Sequence, residues 1–197
     1  MTPFHTNNLP TFIHEKLHDK YVFSWCIGHL VGLVEASIYD EKYKKWNYSD
    51  LPFIPDDWKF SLSKDKEDQF QVLKKLMERD DVNCLLNESD SGREGELIFR
   101  LVVNQARCTK PQERLWISSM EDKAIIEGFE NLKDGRDYDS LYESTLARKE
   151  ADWLIGINAS RLFSILYGSN LSVGRVQSPT LSMLVERRDK SDHFEKE

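Results

Sequence analysis

Apolar positions along this chain recur with two different periods, and the two alternate. Phe70, Leu73, Leu76 and Met77 fall on one face of a helix, which Asp80-Asp81 ends. Val82–Leu86 is a short apolar run that predicts a buried strand. Leu97, Ile98, Leu101 and Val102 return to helical spacing, and Arg114-Leu115-Trp116-Ile117 predicts another strand. Ser118-Ser119 precede Glu121 and Asp122 by three residues each, a capping-box pattern that opens a helix buried through Ile125, Phe129 and Leu132. Upstream, the aromatic and β-branched run Tyr21–Leu33 predicts a strand broken at Gly28, and Tyr39–Trp58 reads as a long ordered connection. Alternating helix and strand predicts an α/β fold, a mostly parallel sheet flanked by helices.

Past Asp134-Gly135 the strand pattern stops. Ala147, Ala151, Leu154, Asn158, Leu162 and Ile165 hold helical spacing over five turns, and Gly168–Gly174 is a turn-rich connection. Ser178-Pro179 predicts an N-cap and first helical residue, opening a helix through about Arg188. The expected division is an α/β domain over 1–135 and an all-helical segment over 136–197.

Composition narrows the classes. A chain of 197 residues with 31% charged and 40% hydrophobic residues can build one good core or two small ones, and is not a disordered type. No apolar run approaches the roughly 18 residues of a membrane span, and the polar opening lacks a signal pattern. Cys26, Cys84 and Cys108 are odd in number and widely spaced, which fits a reducing cytoplasm better than a disulfide framework or a zinc site. The net charge of −7 argues against broad nonspecific nucleic-acid binding, so an anionic partner must be met locally. Trp153–Val185 suits that role: it holds Arg161 and Arg175 and no acid. A core-forming helix pair that happens to lack acids fits the same composition.

The densest chemistry lies in Asn87–Glu96, N-E-S-D-S-G-R-E-G-E, directly after an apolar run. Ligands in α/β sheets gather at the carboxyl ends of strands, where this stretch is expected. Acids near a helix start are also favoured by its dipole alone. Gly92 and Gly95 give the backbone freedom to bring carboxylates together. Convergent oxygens with open positions suit Mg²⁺, whose shell substrate phosphates complete. Arg93 among them could pair with the acids or grip a phosphate.

Asp90-Ser91-Gly92-Arg93-Glu94-Gly95-Glu96 resembles the D-x-D-R-E-G-E signature of the Toprim domain in type IA DNA topoisomerases, in a form like that of bacterial topoisomerase III. Four further segments match the family's motifs in order. They are Gly28-His29-Leu30, Arg114–Ser119, the helix motif Ala151–Arg161 (A-D-W-L-I-G-I-N-A-S-R) and the DNA-gripping motif Ser172–Leu181 (S-V-G-R-V-Q-S-P-T-L). Five motifs in order are specific where one would be weak.

The resemblance implies a bacterial enzyme that cleaves, passes and reseals single strands of DNA with Mg²⁺ and without ATP. It implies that Asp90 and Glu94 hold the metal, with Glu96 supporting the loop or capping its helix. Arg93 either orients the carboxylates or forms a structural ion pair. Ser172, Val173, Gly174, Arg175, Val176 and Gln177 become a DNA-contacting segment, with His29 a further contact. Arg175 precedes Pro179 by four residues, at a helix start whose amides favour an anion. Trp153, Ile157 and Arg161 share a broad helix face that could stack a base and meet a phosphate; otherwise Trp153 is core and Arg161 solvated. Arg148 and Asp152 are spaced for a helix ion pair.

Three departures limit the likeness. The family's first strand ends in a glutamate–lysine pair; Glu15-Lys16 imitates it, but too few residues separate it from Tyr21 for the strand–helix–strand passage. Glu15 is therefore given no catalytic role. Gly92 replaces the second aspartate of the metal pair. None of the seven tyrosines has the Y-x-R-T-D context of the family's nucleophile. The chain is thus expected to bind single-stranded DNA yet be inactive alone. It would be the amino-terminal part of such an enzyme, or one half of a split one whose second polypeptide carries the tyrosine. A Toprim metal-dependent nuclease is the remaining class.

Overall fold

The computed structural model describes residues 20–194, so the glutamate–lysine imitation at Glu15-Lys16 lies outside the described residues. Two compact units are present: Met1–Gly32 with Phe60–Thr145, and Leu33–Lys59 with Leu146–Glu197. A single boundary near residue 136 does not describe them. The stretch 33–59 instead belongs with the carboxyl-terminal helices, and the later division falls inside a helix.

The first unit has the expected α/β character. Strands β3 (Leu85–Asn87), β4 (Gln112–Arg114) and β5 (Lys133–Asp134) form one sheet in that order. β3 and β4 run parallel, with Leu85 opposite Gln112 and Asn87 opposite Arg114, whereas β5 joins β4 antiparallel. β1 (Val31–Leu33) pairs with β2 (Phe60–Leu62) as a separate two-stranded sheet. The expected strand at 21–33 thus survives only after Gly28, and residues 21–27 are held by packing such as Tyr21 against Phe129, centroids 5.4 Å apart.

Three helices cover this unit. α1 (Glu67–Met77) buries Phe70 and Leu73, and α2 (Arg93–Ala106) buries Leu97, Leu101, Val102 and Val103. Each such side chain removed from water contributes roughly 1.5–3 kcal/mol. α3 (Asp122–Glu130) starts later than the serines imply: Glu121 is its N-cap residue, and Ser119 Oγ accepts from the Glu121 amide at 3.2 Å. Gly128 on α3 permits close approach, because a Cβ there would stand 2.8 Å from Leu115 Cδ1.

The second unit is built around α4 (Asp139–Tyr167), whose first turns belong to the first unit, and α5 (Gln177–Asp192). The stretch 33–59 is ordered, as expected, in three 3-10 turns, Ala36–Ile38, Glu41–Lys44 and Tyr48–Asp50. It packs by aromatic contact. Phe53 meets Trp153 at 5.6 Å and Tyr43 at 4.2 Å, while Trp58 meets Trp153 edge-on at 5.6 Å. Asn158 locks the contact by accepting from the Phe53 amide at 2.6 Å and donating to the Phe53 carbonyl at 2.8 Å. Among the described residues no helix is long and apolar enough to cross a membrane.

Replacing Asn158 with Ala leaves both Phe53 backbone groups without that partner, a loss of about 1–3 kcal/mol. Urea denaturation should show a lower midpoint for Asn158→Ala at unchanged slope.

Candidate metal and nucleic-acid site

The acidic stretch sits at the carboxyl end of β3, and a buried arginine shapes it. Arg114, 1% exposed, lies opposite Asn87 in the sheet. Its Nη1 donates to the carbonyls of Asn87 at 3.0 Å, Ser89 at 2.8 Å and Leu115 at 3.2 Å, and its Nη2 donates to the Asp90 carbonyl at 2.6 Å. One guanidinium thus fixes the backbone course from the strand into the loop. Burial lowers its pKa, and the adjacent Glu96 opposes that effect.

Glu96 is the counter-charge. It is 1% exposed, and its carboxylate accepts from Asn87 Nδ2 at 2.9 Å and Arg100 Nε at 2.8 Å. Arg114 Nε stands 3.3 Å from Glu96 Oε2, close enough for charge pairing but not aligned as a hydrogen bond. Arg100 continues to the Gly135 carbonyl at 2.5 Å and to Asp139 at 2.8 Å. Removing one member of such a buried network costs about 3–5 kcal/mol, because its partner is left charged and dry. Glu96 is thus held beneath the loop rather than presented at its surface.

Gly95 is required for space. A Cβ there would stand 2.8 Å from the Asp90 carbonyl oxygen and press on the Ser89 hydroxyl. Gly92, by contrast, is extended at φ −160°, which any residue adopts, so its expected conformational role is not realised. Ser89 donates to Asn87 Oδ1 at 2.7 Å, and Ser91 Oγ donates to the Ile117 carbonyl.

This framework leaves Asp90 exposed at the loop and Glu94 exposed in the first turn of α2. Among the described residues the Asp90 carboxylate has no hydrogen bond or close ion pair. Glu94 Oε2 stands 4.0 Å from His29 Nε2, so the Gly28-His29-Leu30 segment reaches the same place. Arg93 is exposed, and no ion pair engages it among the described residues. No group of three or more His, Cys, Asp and Glu side chains converges on a metal position among the described residues. Two accessible carboxylates fit an ion such as Mg²⁺ that takes few protein ligands and completes its shell with water and phosphate.

The second unit carries the remaining residues. Trp153 is packed among Tyr39, Phe53 and Trp58, which corrects its expected role as a stacking surface. Arg161 is 7% exposed, donates to the Tyr43 carbonyl at 2.8 Å, and lies over the Tyr43 and Trp46 rings. It is neither solvated nor open to a phosphate, and burial lowers its pKa. The signal for both roles was the run of tyrosines and tryptophans over 39–58, which supplies their partners.

Ser160 and Ser164 hold the connection between the helices. Ser160 Oγ bonds the Val173 amide at 2.9 Å and carbonyl at 3.2 Å, and Ser164 Oγ accepts from the Leu171 amide at 2.8 Å. This presents Ser172 and Arg175–Gln177 as exposed residues, with Gly174 half-buried between them. α5 begins at Gln177, ahead of the expected Ser178 cap; Ser178 Oγ instead accepts from the Gly174 amide at 3.1 Å. Pro179 is tolerated in this first turn, where its amide would lack a partner. Arg175 forks onto Asp152 through Nε and Nη2, the second contact at 3.2 Å, and Arg148 Nε stands 3.9 Å from the same carboxylate.

One titration follows from this site. Glu88 is exposed as a residue, yet the protein crowded about its carboxyl raises its pKa to about 7 by desolvation. A raised pKa favours the protonated folded form. Its contribution is complete below the unfolded value of 4.5 and is lost as pH rises through about 7. Glu88→Gln should therefore remove part of the fall in urea midpoint between pH 4.5 and 7.5.

The comparisons agree with these features. A family profile described as DNA topoisomerase matches residues 136–197. DNA topoisomerase 3 of Bacillus cereus is 48% identical over 176 residues, covering 89% of this chain and 24% of that protein. DNA topoisomerase 3 of Bacillus subtilis is 45% identical over 169 residues, covering 86% and 23%. Full-length topoisomerase I from Thermotoga maritima superposes with a TM-score of 0.64 at 26% identity, over 93% of this chain and 29% of that one. The chain spans about a quarter of the length of the curated relatives it matches. Its small α/β unit and following helices are those of a Toprim-like portion and adjoining helical segment, and the chain belongs to the type IA DNA topoisomerases, resembling the topoisomerase III branch.

Proposed function

We propose that this chain supplies the metal-binding and DNA-gripping portions of a bacterial, cytoplasmic type IA topoisomerase acting on single-stranded DNA. The observation that carries the reading is the Asp90 loop. Arg114 and Gly95 hold its backbone in place, leaving Asp90 exposed, with no hydrogen-bond partner for its carboxylate among the described residues, and Glu94 exposed in the helix turn that follows. Asp90 and Glu94 would hold Mg²⁺ in this role. Bound there, the ion would neutralise and orient a backbone phosphate at the reacting linkage.

The chain's own side chains do the rest. Arg93, exposed at the first position of α2, meets a phosphate oxygen beside the helix amides. His29 stands close enough to Glu94 to orient its carboxylate and to touch the strand. Ser172–Gln177 form the grip, with Arg175 as the forked donor and the amides of the α5 start beside it. The attacking tyrosine comes from outside these 197 residues, in a further segment or a second polypeptide, and forms the phosphotyrosine that is later resealed. The free thiols of Cys26, Cys84 and Cys108 suit a reducing compartment.

Fluorescence anisotropy with a labelled oligothymidine tests the reading. Binding by the 197-residue chain should be weak and tighten severalfold with millimolar Mg²⁺, and the Mg²⁺ effect should vanish in Asp90→Asn/Glu94→Gln. Affinity independent of Mg²⁺ in both forms would refute the metal assignment. The chain alone should not relax negatively supercoiled plasmid; relaxation would overturn the inactivity. Mg²⁺-dependent nicking without a covalent intermediate would instead favour the nuclease class.

A further inference from the structure

Among the described residues Asp152 is the acid that pairs with Arg175 of the grip. Between Trp153 and Val185 the sequence contains no Asp or Glu, and the carboxylate that reaches Arg175 comes from the position just before that stretch. It does so with both oxygens, against Nε and Nη2 of the guanidinium. A phosphodiester also presents two oxygens that an arginine fork can engage in the same plane. The carboxylate therefore occupies the position that a backbone phosphate would take.

Three features make this pair exchangeable. Its side chains are 39% and 42% exposed, so water competes for both and the attraction is weak. Arg114 and Arg161, at 1% and 7% exposure, are committed to the interior and cannot exchange in this way. Asp152 also has a second cation, because Arg148 lies one helical turn earlier with Nε at 3.9 Å. When Arg175 leaves, Asp152 keeps a counter-charge. Beside the pair is an open groove of about 610 Å³, lined by Asp152, Gly174, Arg175, Gln177, Thr180 and Leu184. It gives a sugar–phosphate backbone direct access to the guanidinium.

We propose that Asp152 is a removable counter-ion: without nucleic acid it holds the Arg175 fork, and a backbone phosphate of single-stranded DNA displaces it, passing Asp152 to Arg148. The arrangement keeps the fork ordered before binding, so less side-chain freedom is lost on contact. It also sets a threshold, since a lone weak anion must compete with a carboxylate already in place. The inference rests on the assignment of Ser172–Gln177 as a DNA-contacting segment.

The test is a double-mutant cycle read by oligothymidine anisotropy across a salt series, using the full chain. Asp152→Asn, with Asp152→Ser as an independent second variant, should tighten binding about threefold to fivefold, the scale of an exposed ion pair. Arg175→Ala should weaken binding and abolish that gain in the double variant. Thermal melts matching the parent chain establish that each variant is folded. If Arg175→Ala weakens binding while both Asp152 variants leave it unchanged or weaken it, Asp152 orients the fork and the exchange is wrong. If Arg175→Ala has no effect in either background, the grip assignment itself fails.

Discussion

A guanidinium with almost no access to water shapes the loop at the end of β3. Arg114 donates to the carbonyls of Asn87, Ser89, Asp90 and Leu115, and its charge is balanced by the equally buried Glu96. A short loop rich in acids has no apolar side chains with which to fix itself, and its carboxylates repel one another. Tying its backbone from inside solves both problems. Side chains such as Asp90 remain at the surface because the loop is held by its carbonyls. Glu96 is drawn inward between Arg114 and Arg100, and Arg100 passes the connection on to Gly135 and Asp139.

The second unit uses the same device with weaker parts. Side-chain amides and hydroxyls on α4 take the place of a neighbouring strand. Asn158 satisfies both backbone groups of Phe53, Ser160 those of Val173, and Ser164 the amide of Leu171. The aromatic cluster around Trp153 supplies the apolar contact, and the polar side chains fix the register. The exposed residues of the 172–177 connection thus rest on α4 although their backbone is irregular. In both units the groups that would meet a ligand are accessible, and the groups that position them are buried or half-buried.

Much of this was legible in the sequence, and what was missed shares a cause. The faces of α1, α2 and α3 follow from the spacing of Phe70, Leu73, Leu97, Leu101 and Ile125, since a helix is a local structure with a local period. The limits of β3 and β4 slipped by up to three residues, β1 kept only the end of its expected run, and β2 and β5 went unread, because strands of two or three residues are too short for alternation to register. The acidic motif was visible as chemistry, but Arg114 looked like one more strand residue: its partners on the Asp90 loop lie 24 to 27 positions away. Trp153 and Arg161 were assigned to a ligand because the stretch that buries them lies about a hundred residues upstream. Periodicity reports which face is apolar, and it is silent on what covers that face.

The dependence of the loop on its buried arginine can be measured without any ligand. Arg114→Lys keeps the charge opposite Glu96 but removes the fork that reaches several carbonyls at once. Amide hydrogen exchange should then accelerate about tenfold or more at Ser89, Gly92 and Leu115, whose amides are bonded within or beside the loop, while exchange in α4 stays unchanged. Unaltered exchange at those three amides in a folded Arg114→Lys protein would mean that the loop holds itself, and that Asp90 owes its position to something other than Arg114.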